Sequence, residues 1–154
     1  MKRIICISIF ILFLNPMFSF GQETKGIDKN LENISGQYAE CAAYYTIVYH
    51  AMNSSDEKSA ANAYSKLQKK AMFYSLLLAA QGRSKELAAQ VTNSRIEMYM
   101  KKMKQEANNR NENISILINK YHFGCQETLA NPSIHIEAIL KTKIEETNKQ
   151  SETK

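Results

Sequence analysis

The chain has 154 residues, 44% of them hydrophobic and 23% charged, with 5 Gly, 2 Pro and no Trp, a composition that excludes disordered, collagen-like and disulfide-scaffold classes. Its formal net charge of +5 includes Lys2 and Arg3, and without that leader pair it falls to +3. That is not the charge balance of a nucleic-acid-binding protein.

Lys2 and Arg3 precede an uncharged apolar run from Ile4 to Leu14, followed by Asn15-Pro16 and Ser19-Phe20-Gly21. This is the pattern of a secretory signal peptide. The run is shorter than the ~20 residues a helix needs to cross a bilayer, and Ser19 and Gly21 supply small residues for cleavage after Gly21. Residues 1–21 are therefore expected to be removed, 22–30 to form a flexible N-terminal segment, 31–144 a helical bundle domain, and 145–154 a polar tail. No cysteine follows the cleavage point to carry a lipid, so no membrane anchor is expected. The expected location is outside the cytoplasm, exported or secreted.

Cleavage leaves two cysteines, Cys41 and Cys125. In an oxidising compartment they are expected to form one disulfide, the alternative being two buried thiols. The loop it closes, about 84 residues, is worth about 4 kcal/mol in the chain-entropy account.

Four glycines (Gly26, Gly36, Gly82, Gly124) and Pro132 are the only backbone breakers left, and β-type alternation is absent. The chain reads as all-α. Leu31, Ile34, Tyr38, Cys41, Tyr45, Val48 and Met52 step by 3 and 4, a heptad seam with Ala42 and Tyr49 widening it. Asn53-Ser54-Ser55-Asp56 ends this helix and offers N-caps for the next. The second predicted helix runs from about Glu57 to Gln81 with Gly82 as its C-cap. Its end, Met72 to Ala80, is apolar nearly all round and is expected to be buried on several sides.

Ser84 is the predicted cap of a third helix through Leu87, Val91, Ile96, Met100, Met103 and Ala107. Asn108-Asn109-Arg110-Asn111-Glu112-Asn113 favours a turn, although the seam continues to Ile114, Leu117 and Tyr121. A single helix from Ser84 would carry Cys125 about 60 Å from its start, whereas a disulfide needs Cα atoms within about 7 Å. A turn at Asn108–Asn113 instead returns a fourth helix towards Cys41. The expected architecture is an up-down-up-down four-helix bundle with one disulfide. Asn131-Pro132-Ser133 starts a short C-terminal fifth helix, Ser133 to Glu145, packing through Ile134, Ile136, Ala138, Ile139 and Leu140.

His50, His122 and His135, with His122-x-x-Cys125, lack the paired spacing of a zinc site, and the disulfide would consume the sulfurs. Neither a covalent-haem motif nor the Glu-x-x-His pair of a di-iron bundle occurs. Met98, Met100 and Met103 read as core filler plus one exposed residue. Hydrolase, metalloprotease, phosphate-loop and EF-hand motifs are likewise missing. No catalytic residue, metal or cofactor is assigned, and the chain is read as a non-enzyme.

Eight tyrosines remain, four of them (Tyr38, Tyr44, Tyr45, Tyr49) on the first helix. Tyrosine suits interfaces because it buries a ring and keeps a polar tip, and packing inside the fold is the competing account. Arg95, Lys101, Lys102 and Lys104 form a basic stretch, either an ordinary solvated face or a surface for an acidic partner. Tyr44, Tyr49, Arg95, Lys101, Lys102 and Lys104 are the candidate interface. Asn33-Ile34-Ser35, Asn53-Ser54-Ser55 and Asn113-Ile114-Ser115 match the glycosylation pattern, relevant only to a eukaryotic source.

At Glu40-Cys41-Ala42-Ala43-Tyr44-Tyr45, Tyr121-x-x-x-Cys125 and Asn131-Pro132, the chain resembles small exported bacterial helical proteins of uncharacterised role. The resemblance implies the same disulfide, a helical fold and a bacterial periplasm; it implies no activity. The expected function is binding of another macromolecule, a protein, in an inhibitor, immunity or accessory-subunit role. The alternative is a carrier of a small molecule or cofactor in the bundle interior.

Overall fold

The computed structural model describes residues 28–132 and Glu137. The leader 1–21, the fifth helix proper and the polar tail lie outside the described residues. Within them the chain forms α1 (Lys29–Ser54), α2 (Lys58–Ala79), α3 (Lys85–Glu106), a 3-10 turn at Asn111–Asn113 and α4 (Ile114–Ala130).

Local chemistry sets most of these ends. Asp28 caps α1 by accepting from the Asn30 amide at 2.8 Å, so the helix starts at Lys29, inside the stretch expected to be loose. Ser84 accepts from the Leu87 amide at 3.2 Å and caps α3 as its sequence predicts. The α2 start departs from expectation. Ser54 and Ser55 turn their hydroxyls back to the His50 and Ala51 carbonyls and Asp56 takes φ 62°, which leaves Glu57 as an N-cap without a side-chain bond. Back-bonding to the finished helix competes with capping of the next one.

Between α3 and α4 the predicted turn is present. Asn108 and Asn109 sit at φ 53° and 55°, a left-handed conformation that Asn tolerates better than most residues. The Asn109 amide donates to Lys104 O at 2.7 Å, and Asn113 Nδ2 bonds Ala107 O at 3.1 Å. The chain thus reverses on a fixed geometry.

α1 touches all three other helices. Ser35 meets Ser75, Tyr38 meets Tyr74 and Tyr45 meets Tyr64, so α2 runs antiparallel to it. Glu32 with Arg95 and Glu40 with Lys102 make α3 parallel, while Cys41 with Cys125 and Tyr44 with His122 hold α4 to its middle. The seam residues Leu31, Tyr38, Cys41, Tyr45 and Val48 are buried, and so are Ser35, Ala39, Ala42, Ala43 and Tyr44. Small side chains allow close approach: Ser35 and Ser75 exchange hydroxyl-to-carbonyl bonds across the α1–α2 contact at 3.0 and 2.9 Å.

The α2 end corrects the sequence reading. Ser75, Leu78 and Ala79 are buried, but Met72 is exposed and Phe73 is 59% exposed. An apolar run does not say how many neighbours a helix has, and here only one side of the run faces the core.

Cys41 and Cys125 stand at disulfide distance with Cα atoms 5.3 Å apart, both nearly buried. Cys41→Ser is expected to lower the oxidised protein's melting temperature by on the order of 15 °C. Excess reductant should bring the wild type down to the variant. Equal melting of the two under oxidising conditions would remove the bond from the fold's stability.

Candidate functional site

The six candidate interface residues do not form one surface. Tyr44 is 0% exposed: it projects from α1 onto α4, its hydroxyl 3.1 Å from His122 Nδ1 and its ring 6.1 Å from Tyr121. It offers nothing to a partner, and its interface assignment is corrected to core. Tyr45, the next residue, packs its ring on that of Tyr44 with centres 4.9 Å apart and on Tyr64 of α2 at 6.1 Å, so the three form one aromatic cluster with His122. Both are buried where α2 and α4 close over the same stretch of α1. Burial pushes the Tyr44 hydroxyl well above the ordinary phenol range, and burial with the adjoining Tyr64 pushes Tyr45 up to about 12. Neither ionises at neutral pH. Tyr49 is half-buried beside His50, ring centres 5.0 Å apart.

Arg95 is also spent inside the fold. It binds Glu32 and donates to Ser35 Oγ at 3.2 Å, while Arg83, from the turn after α2, reaches the other Glu32 oxygen at 2.7 Å with its side chain only 9% exposed. Burial alone would raise the Glu32 carboxyl, but the hydrogen bond from Arg83 and the charge and bond of Arg95 outweigh it and hold it below the usual carboxylate range. Lys102 lies 3.8 Å from Glu40. Lys101 and Lys104 differ: both are exposed and neither has an ion-pair partner among the described residues.

Lys104 borders a concave cleft where α1, α3 and the α3–α4 turn meet. Ile47, Met100, Ala107 and Ile114 make its floor, and its volume is about 370 Å³. Its rim carries His50, Lys104 and Arg110, with Asn109 and Asn111 from the turn, and no carboxylate among the described lining residues. A shallower concavity continues from it along α3, sharing Met100, Lys104 and Asn109 and adding Lys101, with Glu97 on its edge. Arg110 and Ile47 were not singled out from sequence. Arg110 sits in a polar turn and Ile47 falls outside the heptad seam, and only the packing of α1 against the turn joins them.

Among the described residues no three His, Cys, Asp or Glu side chains group as a metal site. His122 instead pairs with Tyr44, and Cys125 with Cys41. No described helix is long and apolar enough to cross a membrane. No known protein family, curated protein or solved structure matches the chain.

Tyr44 and Tyr45 give opposite expectations for removal of one oxygen. Tyr44→Phe loses the His122 bond and should cost about 1 kcal/mol. The buried Tyr45 hydroxyl has no hydrogen-bond partner among the described residues, so Tyr45→Phe should be neutral or stabilising. Denaturant melts of the two variants check this, and equal losses would refute the distinction.

Glu32→Gln should destabilise by about 2 kcal/mol at neutral pH. A carboxyl held below its ordinary 4.5 contributes stability that is present above that value and lost as pH falls through the lowered one. The melting gap between variant and wild type should therefore close on acidification below 4.5. A gap that persists to about pH 2 would exclude charge as its source.

Proposed function

We propose that this is an exported, non-enzymatic helical protein that binds an acidic protein surface through the cationic ridge of Lys101, Lys104 and Arg110. One observation carries the reading: these three cations are exposed and without ion-pair partners among the described residues, whereas Arg95 and Lys102 of the same helix each lie within ion-pair distance of a carboxylate of α1. Charges left uncommitted on a fixed ridge speed encounter with an opposite potential and select against like-charged partners. Met100 between them supplies an apolar contact. Inhibitor, immunity and accessory-subunit roles all use such a surface.

The finer architecture belongs to the same reading. The pairwise helix directions support an up-down-up-down bundle. Residues 1–21 act as the signal peptide and the working location is a bacterial periplasm or the medium, which the cysteine pair at disulfide distance supports.

A photo-cross-linking residue placed at 101 or 110 in the cell that makes the protein should capture one defined protein, identified by mass spectrometry. The same probe at Lys69, on the solvated side of α2, should not. The yield should fall steeply between low and about 0.5 M salt. No capture at 101 and 110, or the same products from all three positions, would overturn the reading.

A further inference from the structure

We infer that the cleft between α1, α3 and the α3–α4 turn is a binding site for a small monocarboxylate with an apolar tail, a short- or medium-chain fatty acid in chemical class. This goes beyond the macromolecular reading above: it shares Lys104 and Arg110 with that reading, and rests on the apolar floor of Ile47, Ala107 and Ile114, which that reading does not use.

Three observations carry it. The cleft's volume of about 370 Å³ lies at the small end of the ~300–1,000 Å³ typical of ligand pockets, which suits one short chain and not a cofactor. Its floor of Ile47, Met100, Ala107 and Ile114 is wholly apolar, and the partly buried three among these pack directly on the core. A ligand tail laid there removes from water both its own surface and theirs. The rim is one-signed: it carries Lys104, Arg110 and His50 with no carboxylate among the described lining residues. Glu97 and Glu112 belong to the adjoining concavities instead. A single anionic head fits between Lys104 and Arg110, and Arg110 can meet a carboxylate with two parallel N–H donors. The site is also preformed. Arg110 is held by its amide bond to Ala107 O at 3.1 Å and by the preceding left-handed pair Asn108 and Asn109, so binding loses little backbone freedom.

The test uses the oxidised full chain, labelled on methyl and amide groups and titrated with octanoate, octanol, octyltrimethylammonium and acetate in an NMR experiment. Octanoate should give saturable shifts at the Ile47, Ala107 and Ile114 methyls. Octanol and acetate, each carrying half of the ligand, should bind more weakly, and the cation should not bind. The double substitution Lys104→Ala with Arg110→Ala alters only exposed side chains; with its amide spectrum unchanged elsewhere, it should weaken octanoate roughly fivefold and leave octanol unaffected. Absence of saturable shifts at the floor methyls overturns the proposal. So does equal binding of octanoate and the cation, or an octanoate affinity that the double variant retains. Adsorption to phosphatidylglycerol vesicles without saturable octanoate binding also overturns it, in favour of a membrane surface. Loss of partner cross-linking at Lys101 alone would touch the macromolecular reading and not this one.

Discussion

The enclosure of α1 by three other helices governs the rest of the fold. A helix covered on one side can point its polar groups to water, whereas α1 from Ser35 to Val48 has almost no such outlet. Its buried hydroxyls must therefore find partners within the protein, or lose their hydration without replacement as that of Tyr45 does. Ser35 exchanges bonds with Ser75, Tyr44 meets His122, and Glu32 holds two arginines. Each of these pairs ties α1 to a different neighbour or turn, so the solvation demand of one helix fixes the placement of the others. The Cys41–Cys125 contact falls in the middle of this enclosed stretch, where α4 covers the side left open by α2 and α3.

Much of this is legible in the sequence. The heptad seam marks a buried line of α1 at Leu31, Tyr38, Cys41, Tyr45 and Val48, Ser84 is the cap of α3, and the asparagines at 108 and 109 mark the reversal that brings Cys125 to Cys41. These are local signals, set within a turn or two of the chain. What could not be read depends on neighbours remote in sequence. Tyr44 lies off the seam, and periodicity assigns such a residue to the outside; it is buried because α4 packs there. Arg83 reaches Glu32 across 51 positions, and nothing near either residue announces the pairing. Met72 and Phe73 fail in the opposite sense, since their apolar stretch names no partner for each side.

The candidate site was legible only in part for the same reason. Lys101 and Lys104 stood out as a charge run, but the sequence could not separate them from Arg95 and Lys102. Carboxylates on α1 decide which of the four cations are paired, Arg95 with Glu32 and the exposed Lys102 with Glu40. The parallel packing of α1 against α3 thus sorts one basic helix into a paired and an unpaired set. At its far end the same packing brings Ile47 over the α3–α4 turn, where Arg110 completes a rim that no single segment contains.

The tie between residues 41 and 125 spans both turns that join α2, α3 and α4. With those two sulfurs joined, a protease that nicks the backbone at Gly82 or at Asn109 produces no separate fragments. The cut chain stays one covalent molecule, its halves held at high effective concentration, and helices on both sides of the nick can re-pair. Exposed turns, ordinarily the weak points of a small domain among proteases, thereby become places where the chain can be opened without being dismantled.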